Sequence, residues 1–238
     1  MSSAAFDPQR HPRRLNLGCG FDKKEGWLNV DFQDFHAPDL VADVTRLTVL
    51  PSGYYEEILA QDILEHIGRT ETRNVLSEWN RVLRMKGVLR LRVPSIVGVA
   101  ELLQRRDHQT VEKQEHLVQC LFGSQRYGGD FHYTGFTELL LREYLKDTGF
   151  DCAQLKREGG WLLDAVAVKV KDAAVDALYR IEDDAAFVAE LYRKVLRREP
   201  DGDGLQFYVG KLSARQLTRT AVHEILAQSP EARALAPR

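Results

Sequence analysis

The 238-residue chain has little cysteine, methionine or tryptophan: three, two and three residues respectively. Its cysteines, Cys19, Cys120 and Cys152, form no metal-type pair. That argues against a disulfide framework and suits a reducing, cytoplasmic setting. No apolar run approaches the roughly 20 residues a membrane helix requires, and the first residues lack the apolar stretch of a secretory signal. An excess of one charge is absent too. Lys and Arg number 33 against 35 Asp and Glu, a formal net charge of −2, so there is no general reason to expect nucleic acid as a partner. What remains is an ordinary globular composition, 44% hydrophobic and 29% charged. It suffices for one sizeable core and a small second unit. The densest basic stretch, Arg81, Arg84, Lys86, Arg90 and Arg92, reads as a solvated helix face followed by ion-paired strand residues.

Strand-like and helix-like segments alternate along residues 14–170. Arg14–Leu17 reads as a strand stopped by Gly18 and Gly20, followed by strands over Trp27–Asp31, Leu40–Val44 and Glu57–Ala60. Thr70–Met85 has helical periodicity, with Val75, Leu76, Trp79, Val82 and Leu83 on one stripe and Gly87 as the residue that closes it. Val88–Val93 is a strand ended by Pro94, and Glu138–Thr148 is a helix stopped by Gly149. Strands follow near Cys152–Leu155 and over Asp164–Val170. This alternation predicts an α/β fold, a mainly parallel sheet with helices on both faces. Such sheets bind ligands beyond the carboxyl ends of their strands, at the switch point.

Polar residues collect at those ends. In "LNLGCGFDKKEGWLNVD", glycine at positions 18 and 20 lets backbone approach a ligand closely. Asp31 can accept two hydrogen bonds from a ribose diol. A dinucleotide fingerprint would need a third glycine where Lys23 stands, and "FDKKEG" is too short for a full helix. For the glycine pair in isolation a structural turn remains an alternative reading. "DLVADVTRL" places Asp43 after the third strand, and "EEILAQDILEHI" places Gln61, Asp62, Glu65 and His66 after the fourth. One Asp after a strand reads as a cap or turn residue; four polar strand ends in order point to a cofactor site.

These segments, together with "EWNRVLRMKGVLRLRVPS" and "HYTGFTELLLREYLKDTGF", resemble the class I S-adenosylmethionine-dependent methyltransferases over roughly residues 15–170. The resemblance implies a Rossmann-like methyltransferase fold and S-adenosyl-L-methionine as cofactor. It assigns cofactor binding to Asn16, Gly18, Cys19, Gly20, Asp31, Asp43, Val44, Gln61 and Asp62. The glycine turn would pass beneath the methionine part, and Asp31 would hold the ribose hydroxyls. Asp43 would meet the adenine amino group and Val44 its ring, while Gln61 and Asp62 would lie near the sulfonium and the acceptor. Asn16 stands where many members carry an acidic residue, and the short link from Gly20 to Asp31 implies that the first helix is lost or reduced to about a turn.

A hydroxyl acceptor must lose a proton, which calls for a general base near neutral pH, and histidine suits that role. The catalytic candidates are His132 in "YGGDFHYTGF", its neighbour Asp130, and His66; no metal is expected. The Gly128-Gly129 pair reads as a mobile loop over the cofactor. Residues 95–122 read as two inserted helices, either a wall of the acceptor pocket or a dimerising hairpin, with Cys120 as a small core residue rather than a nucleophile.

From about Ala173 the strands stop, so the chain divides into a methyltransferase domain over 1–172 and a helical accessory module over 173–238. Phe187, Leu191 and Val195 make one helix face, and Ser213 and Ser229-Pro230 read as helix starts. "PDGDG" lacks the later Glu of an EF-hand and reads as a turn between helices. "FVAELYRKVLRREPDGDGLQFYVGKL" resembles a small helical domain of unknown function with a phycobilisome-linker-like pattern, appended to bacterial surface-polysaccharide and secreted proteins. That company implies O-methylation of a sugar hydroxyl on a bacterial surface polysaccharide or its precursor. The expected partners are that glycan acceptor, membrane-associated glycan assembly machinery and a second copy of the chain. Two alternatives stay open: a small-metabolite O- or N-methyltransferase, and a non-catalytic cofactor-binding or scaffold subunit.

Overall fold

Short runs of leucine, isoleucine and valine build one seven-stranded sheet in the computed structural model, which describes residues 6–126, 130–173, 177–214 and 216–235. The Gly128-Gly129 pair expected to form a loop over the cofactor lies outside the described residues. Strands β1 (Arg14–Leu17) and β2 (Leu28–Asp31) are buried almost throughout, as strands covered on both faces must be. The others are β3 (Leu40–Val41), β4 (Tyr55–Gln61), β5 (Leu83–Pro94), β6 (Phe150–Glu158) and β7 (Leu162–Lys169). Their order is β3-β2-β1-β4-β5-β7-β6, parallel from β3 to β5, with β7 antiparallel to both of its neighbours. The chain starts mid-sheet, runs outward to β3 and returns to β4 on the other side of β1. The carboxyl ends of β1 and β4 therefore flank the switch point. This is a Rossmann-like methyltransferase topology, and between β1 and β2 it has no helix.

Helix α1 (Thr72–Val82) buries Val75, Leu76, Trp79 and Val82, and the Trp79 indole N–H donates to the Val44 carbonyl at 2.9 Å. The helix stops three residues earlier than its periodicity suggests. Leu83 pairs with Tyr55 in the sheet, so Leu83–Lys86 join β5, and Gly87 lies inside that strand instead of closing the helix. A Cβ on Gly87 would sit 2.8 Å from the Arg84 carbonyl oxygen and 3.2 Å from that of Glu56. The glycine thus serves the close approach of β4 and β5 where their register shifts. The strand expected over Leu40–Val44 is limited to Leu40–Val41, because β3 has one neighbour and Asp43 turns the chain. The basic run divides in a way composition did not reveal. Arg84, Arg90 and Arg92 pair with Glu56, Glu57 and Asp62, while Arg81 is buried rather than solvated, bonded to Glu78 and to the carbonyls of Leu47 and Leu50.

Beyond β5 come α2 (Ile96–Gln104) and α3 (Val111–Phe122), whose N-caps Ser95 and Thr110 accept from Gly98 N and Lys113 N. These two inserted helices bury Val99, Leu102, Leu117 and Cys120 in a small cluster of their own. Helix α4 (Glu138–Asp147) follows, capped by Thr137 and stopped at Gly149, whose φ of +86° favours glycine.

The chain forms two compact units, Met1–Ala174 and Val175–Arg238. The second holds α5 (Asp184–Leu196), α6 (Gly202–Ser213), α7 (Arg219–Ala227) and α8 (Pro230–Leu235) around Phe187, Val188, Leu191, Leu212, Val222 and Leu226. Val195 packs half-buried against that cluster. Asp201 accepts from Gly204 N at 2.7 Å, so "PDGDG" is the capped start of α6. Ser229 caps α8, but Ser213 ends α6 instead of starting a helix; the next cap is Thr218. Arg219 is buried here, pairing with Asp184 at 2.6 Å and lying over the Phe187 ring. Among the described residues no helix is long and apolar enough to cross a membrane.

Trp79→Phe removes the indole donor to the Val44 carbonyl and leaves a small void in the core. It is expected to cost about 2–4 kcal/mol, read as a lower urea midpoint with an unchanged slope.

Candidate functional site

The turn after β1 is shaped by glycine at both ends. Gly18 has φ +64° and Gly20 φ +50°, conformations in which a side chain is strained. A Cβ on Gly18 would lie 2.7 Å from two carbons of the Ile63 side chain, so this turn packs directly on the segment after β4. Above Gly20 a Cβ would meet nothing within 4 Å. The turn is held by Cys19 N donating to the Val30 carbonyl at 3.1 Å and by Gly20 N donating to Asp31 Oδ2 at 2.8 Å. Asp31 is 7% exposed, and its Oδ1 also accepts from Gln33 N at 2.8 Å and from His36 Nδ1 at 3.0 Å. Asn16 reaches Asn29 Oδ1 and the Asp22 carbonyl, and Asn29 in turn donates to Asp39, so the helix-free link is secured by buried amides. Burial, then the charge of Asp31, pushes the Cys19 thiol up to about 11, which leaves it inert as a nucleophile.

Asp43 caps its own turn through Thr45 N and Oγ1, with Arg46 3.6 Å away, while the buried Val44 lends its carbonyl to Trp79. Gln61 closes β4. Asp62 takes the left-handed conformation at φ +55° and is gripped by the Arg92 guanidinium through two bonds, one of them 3.0 Å.

The loop after β4 brings the acid–base candidates together. The Glu65 carbonyl accepts from Tyr133 N at 2.8 Å and Thr134 N at 3.1 Å, and Thr134 Oγ1 donates to the Ile67 carbonyl at 2.6 Å. This clamp puts the His66 and His132 rings edge to face with centroids 4.6 Å apart. His66 Nδ1 donates to the Phe131 carbonyl and His132 Nδ1 to the Cys120 carbonyl, each at 3.1 Å. A carbonyl can only accept, so both rings carry a proton on Nδ1, and the neutral form of each has its lone pair on Nε2. Asp130 Oδ2 accepts from Ser124 N at 3.1 Å and from its hydroxyl. Burial, with the neighbouring His132, pushes His66 below its ordinary 6.5.

Glu65 is a residue the sequence placed at this strand end without a role. It is 1% exposed, and its Oε2 is buried without a hydrogen-bond partner among the described residues. Burial pushes its carboxyl from the ordinary 4.5 up to about 8, with Asp62 adding to the shift and Arg92 opposing it. Arg92 and His36 were missed as well. The polar residues alternating along "VLRLRV" were a signal for Arg92, and nothing local marks His36.

Several solved structures are similar to the chain in fold. A possible exported protein of Bordetella parapertussis is 13% identical with a TM-score of 0.49, over 69% of this chain and 65% of that one. A putative S-adenosylmethionine-dependent methyltransferase of Listeria monocytogenes is 16% identical at 0.49, over 66% and 91%. The 1,6-didemethyltoxoflavin-N1-methyltransferase of Burkholderia thailandensis, holding S-adenosylhomocysteine, is 16% identical at 0.45, over 68% and 73%. The chain spans just under two thirds of the first of these. No curated protein matches the sequence. The C-terminal unit matches a domain of unknown function, DUF4214, over residues 173–236. Among its described residues, this DUF4214-like unit holds no cluster of three metal-ligating side chains, whereas the first unit does.

The buried Glu65 makes stability depend on pH. Its folded-state value lies above the unfolded one, so the folded protein holds one more proton between about 4.5 and 8, and stability falls as pH rises through that window. Glu65→Gln mimics the protonated acid and should flatten that decline, seen as a pH series of urea midpoints.

Proposed function

We propose that the N-terminal unit is an S-adenosyl-L-methionine-dependent methyltransferase that O-methylates a sugar hydroxyl of a bacterial surface polysaccharide or its precursor. The observation that carries this reading is the meeting of the Gly18–Gly20 turn and Asp31 at neighbouring carboxyl ends of β1 and β2, beside the switch point. The residues fit the cofactor. The space above Gly20 is open, and Asp31 uses three acceptor positions of about four a carboxylate offers, leaving one for a hydroxyl. Asp43 and Val44 lie after the third strand, where an adenine would be met. When bound, the cofactor supplies a methyl group on a sulfonium, a leaving group that needs no protein acid.

The chain's own residues then position the acceptor. His132 presents its Nε2 to the acceptor hydroxyl, and the bond from its Nδ1 to the Cys120 carbonyl keeps the ring from turning. His66 stands against that ring and narrows its motion. The α2–α3 insertion, following the carboxyl end of β5, supplies a wall of the acceptor pocket. Sugar specificity rests on the resemblance of the C-terminal unit to modules that accompany surface-glycan proteins, and that unit locates the chain on its acceptor or assembly machinery.

S-adenosylhomocysteine should bind the full chain with micromolar affinity, on the order of −7 to −9 kcal/mol by calorimetry. Gly18→Ala drives a Cβ into Ile63 and should weaken that binding at least about tenfold. His132→Ala should leave it nearly unchanged while slowing transfer of labelled methyl to sugar acceptors by about 100-fold. Binding of NAD without S-adenosylhomocysteine would overturn the proposal.

A further inference from the structure

The pair of histidines has a third partner. One ligand atom from each of His66, Asp130 and His132 lies within 4.8 Å of the other two. The residues come from two segments, the loop after β4 and the stretch before α4, which the Glu65 carbonyl and the Thr134 hydroxyl bind together. All three side chains are oriented from behind. Each imidazole donates its Nδ1–H to a backbone carbonyl, which fixes the tautomer that presents Nε2. The Asp130 carboxylate is anchored on one oxygen by Ser124, and no hydrogen bond engages the other among the described residues. Backing of this kind, a carbonyl behind each histidine and a donor behind the carboxylate, is how proteins present ligands to a metal.

We propose that His66, Asp130 and His132 bind a divalent transition-metal ion. Two neutral imidazoles and one carboxylate form a borderline donor set, suited to Zn²⁺, Co²⁺ or Fe²⁺ rather than Ca²⁺ or Mg²⁺. Donors around such an ion sit about 3–3.5 Å apart, so closing on it needs movements of about 1 Å. Three protein ligands leave coordination positions open, and an acceptor hydroxyl fits there. The role in transfer rests on the methyltransferase reading; the binding of metal does not. In that role the ion lowers the hydroxyl's pKa, so His132 holds the metal instead of the proton. The proton leaves to a solvent base, and the oxygen–carbon bond forms as the sulfonium carbon–sulfur bond breaks.

The test uses the full chain stripped with a chelator and titrated with Co²⁺, followed by calorimetry and by the visible spectrum of the bound ion. One equivalent should bind. Asp130→Asn and His132→Gln should each weaken binding at least about 100-fold, Ser124→Ala about tenfold, and His108→Ala not at all. Binding of S-adenosylhomocysteine, measured on the same samples, reports whether each variant is folded. Retained S-adenosylhomocysteine binding with no Co²⁺ uptake, or with uptake equal in the wild type and both ligand variants, overturns the metal site and leaves the methyltransferase reading standing. Co²⁺ uptake without S-adenosylhomocysteine binding does the reverse. With both bound, transfer should vanish in excess chelator and return with Co²⁺; transfer indifferent to the chelator overturns the ion's catalytic role.

Discussion

The carboxylate of Asp31 is the constraint on which the carboxyl end of the first unit's sheet depends. A helix between the first two strands would ordinarily cover the sheet and fix the turn by burying an apolar face. This chain has no such helix, and polar bonds replace it. Asp31 ties the turn after β1, the backbone after β2 and His36 to one point, while the Asn16–Asn29–Asp39 series secures the link behind it. Buried amides bonded in this way hold a unique geometry, because each broken bond would leave a desolvated polar group. The glycine turn is thereby held open by hydrogen bonds as well as by its packing on Ile63.

A second polar arrangement shapes the carboxyl end of β4. Asp62 adopts a left-handed conformation, which Asp tolerates better than most residues, and the Arg92 fork holds its carboxylate. Directly beyond it the Glu65 side chain is buried with an oxygen that has no partner among the described residues, while its own carbonyl clamps the segment carrying His132. The residue that organises the backbone here thus also stores an unfavourable burial. Such combinations are tolerated where a site needs its geometry more than its stability.

Much of this was legible in the sequence. Leucine and valine runs closed by Gly18, Asp31 and Pro94 disclosed the strands, because a strand buried on both faces has a nearly continuous apolar signature. The polar residues at the strand ends were legible for the same reason: polarity resumes where the core stops. The limit of α1 was not. Leu83 suits both a helix stripe and a strand, and its pairing with Tyr55, which no local pattern encodes, decides the matter. Gly87 misled because glycine serves a helix end and a tight strand approach alike. Ser213 misled in the same way, since a serine at a helix boundary does not say on which side the helix lies. The proximity of His66 and His132, 66 residues apart in sequence, is a product of β-sheet topology; the residue types suggested each ring, and only the fold brought them into contact.

The carbonyl behind His132 belongs to Cys120, in the last turn of α3. The insertion after β5 is therefore part of the skeleton of the histidine pair and not an ornament on its rim. Insertions at this edge are the parts of such folds most readily exchanged without harm to the sheet. Here an exchange would carry away the group that aims an imidazole, and a hairpin grafted from a relative would have to bring a carbonyl at the same place for the ring to keep its orientation.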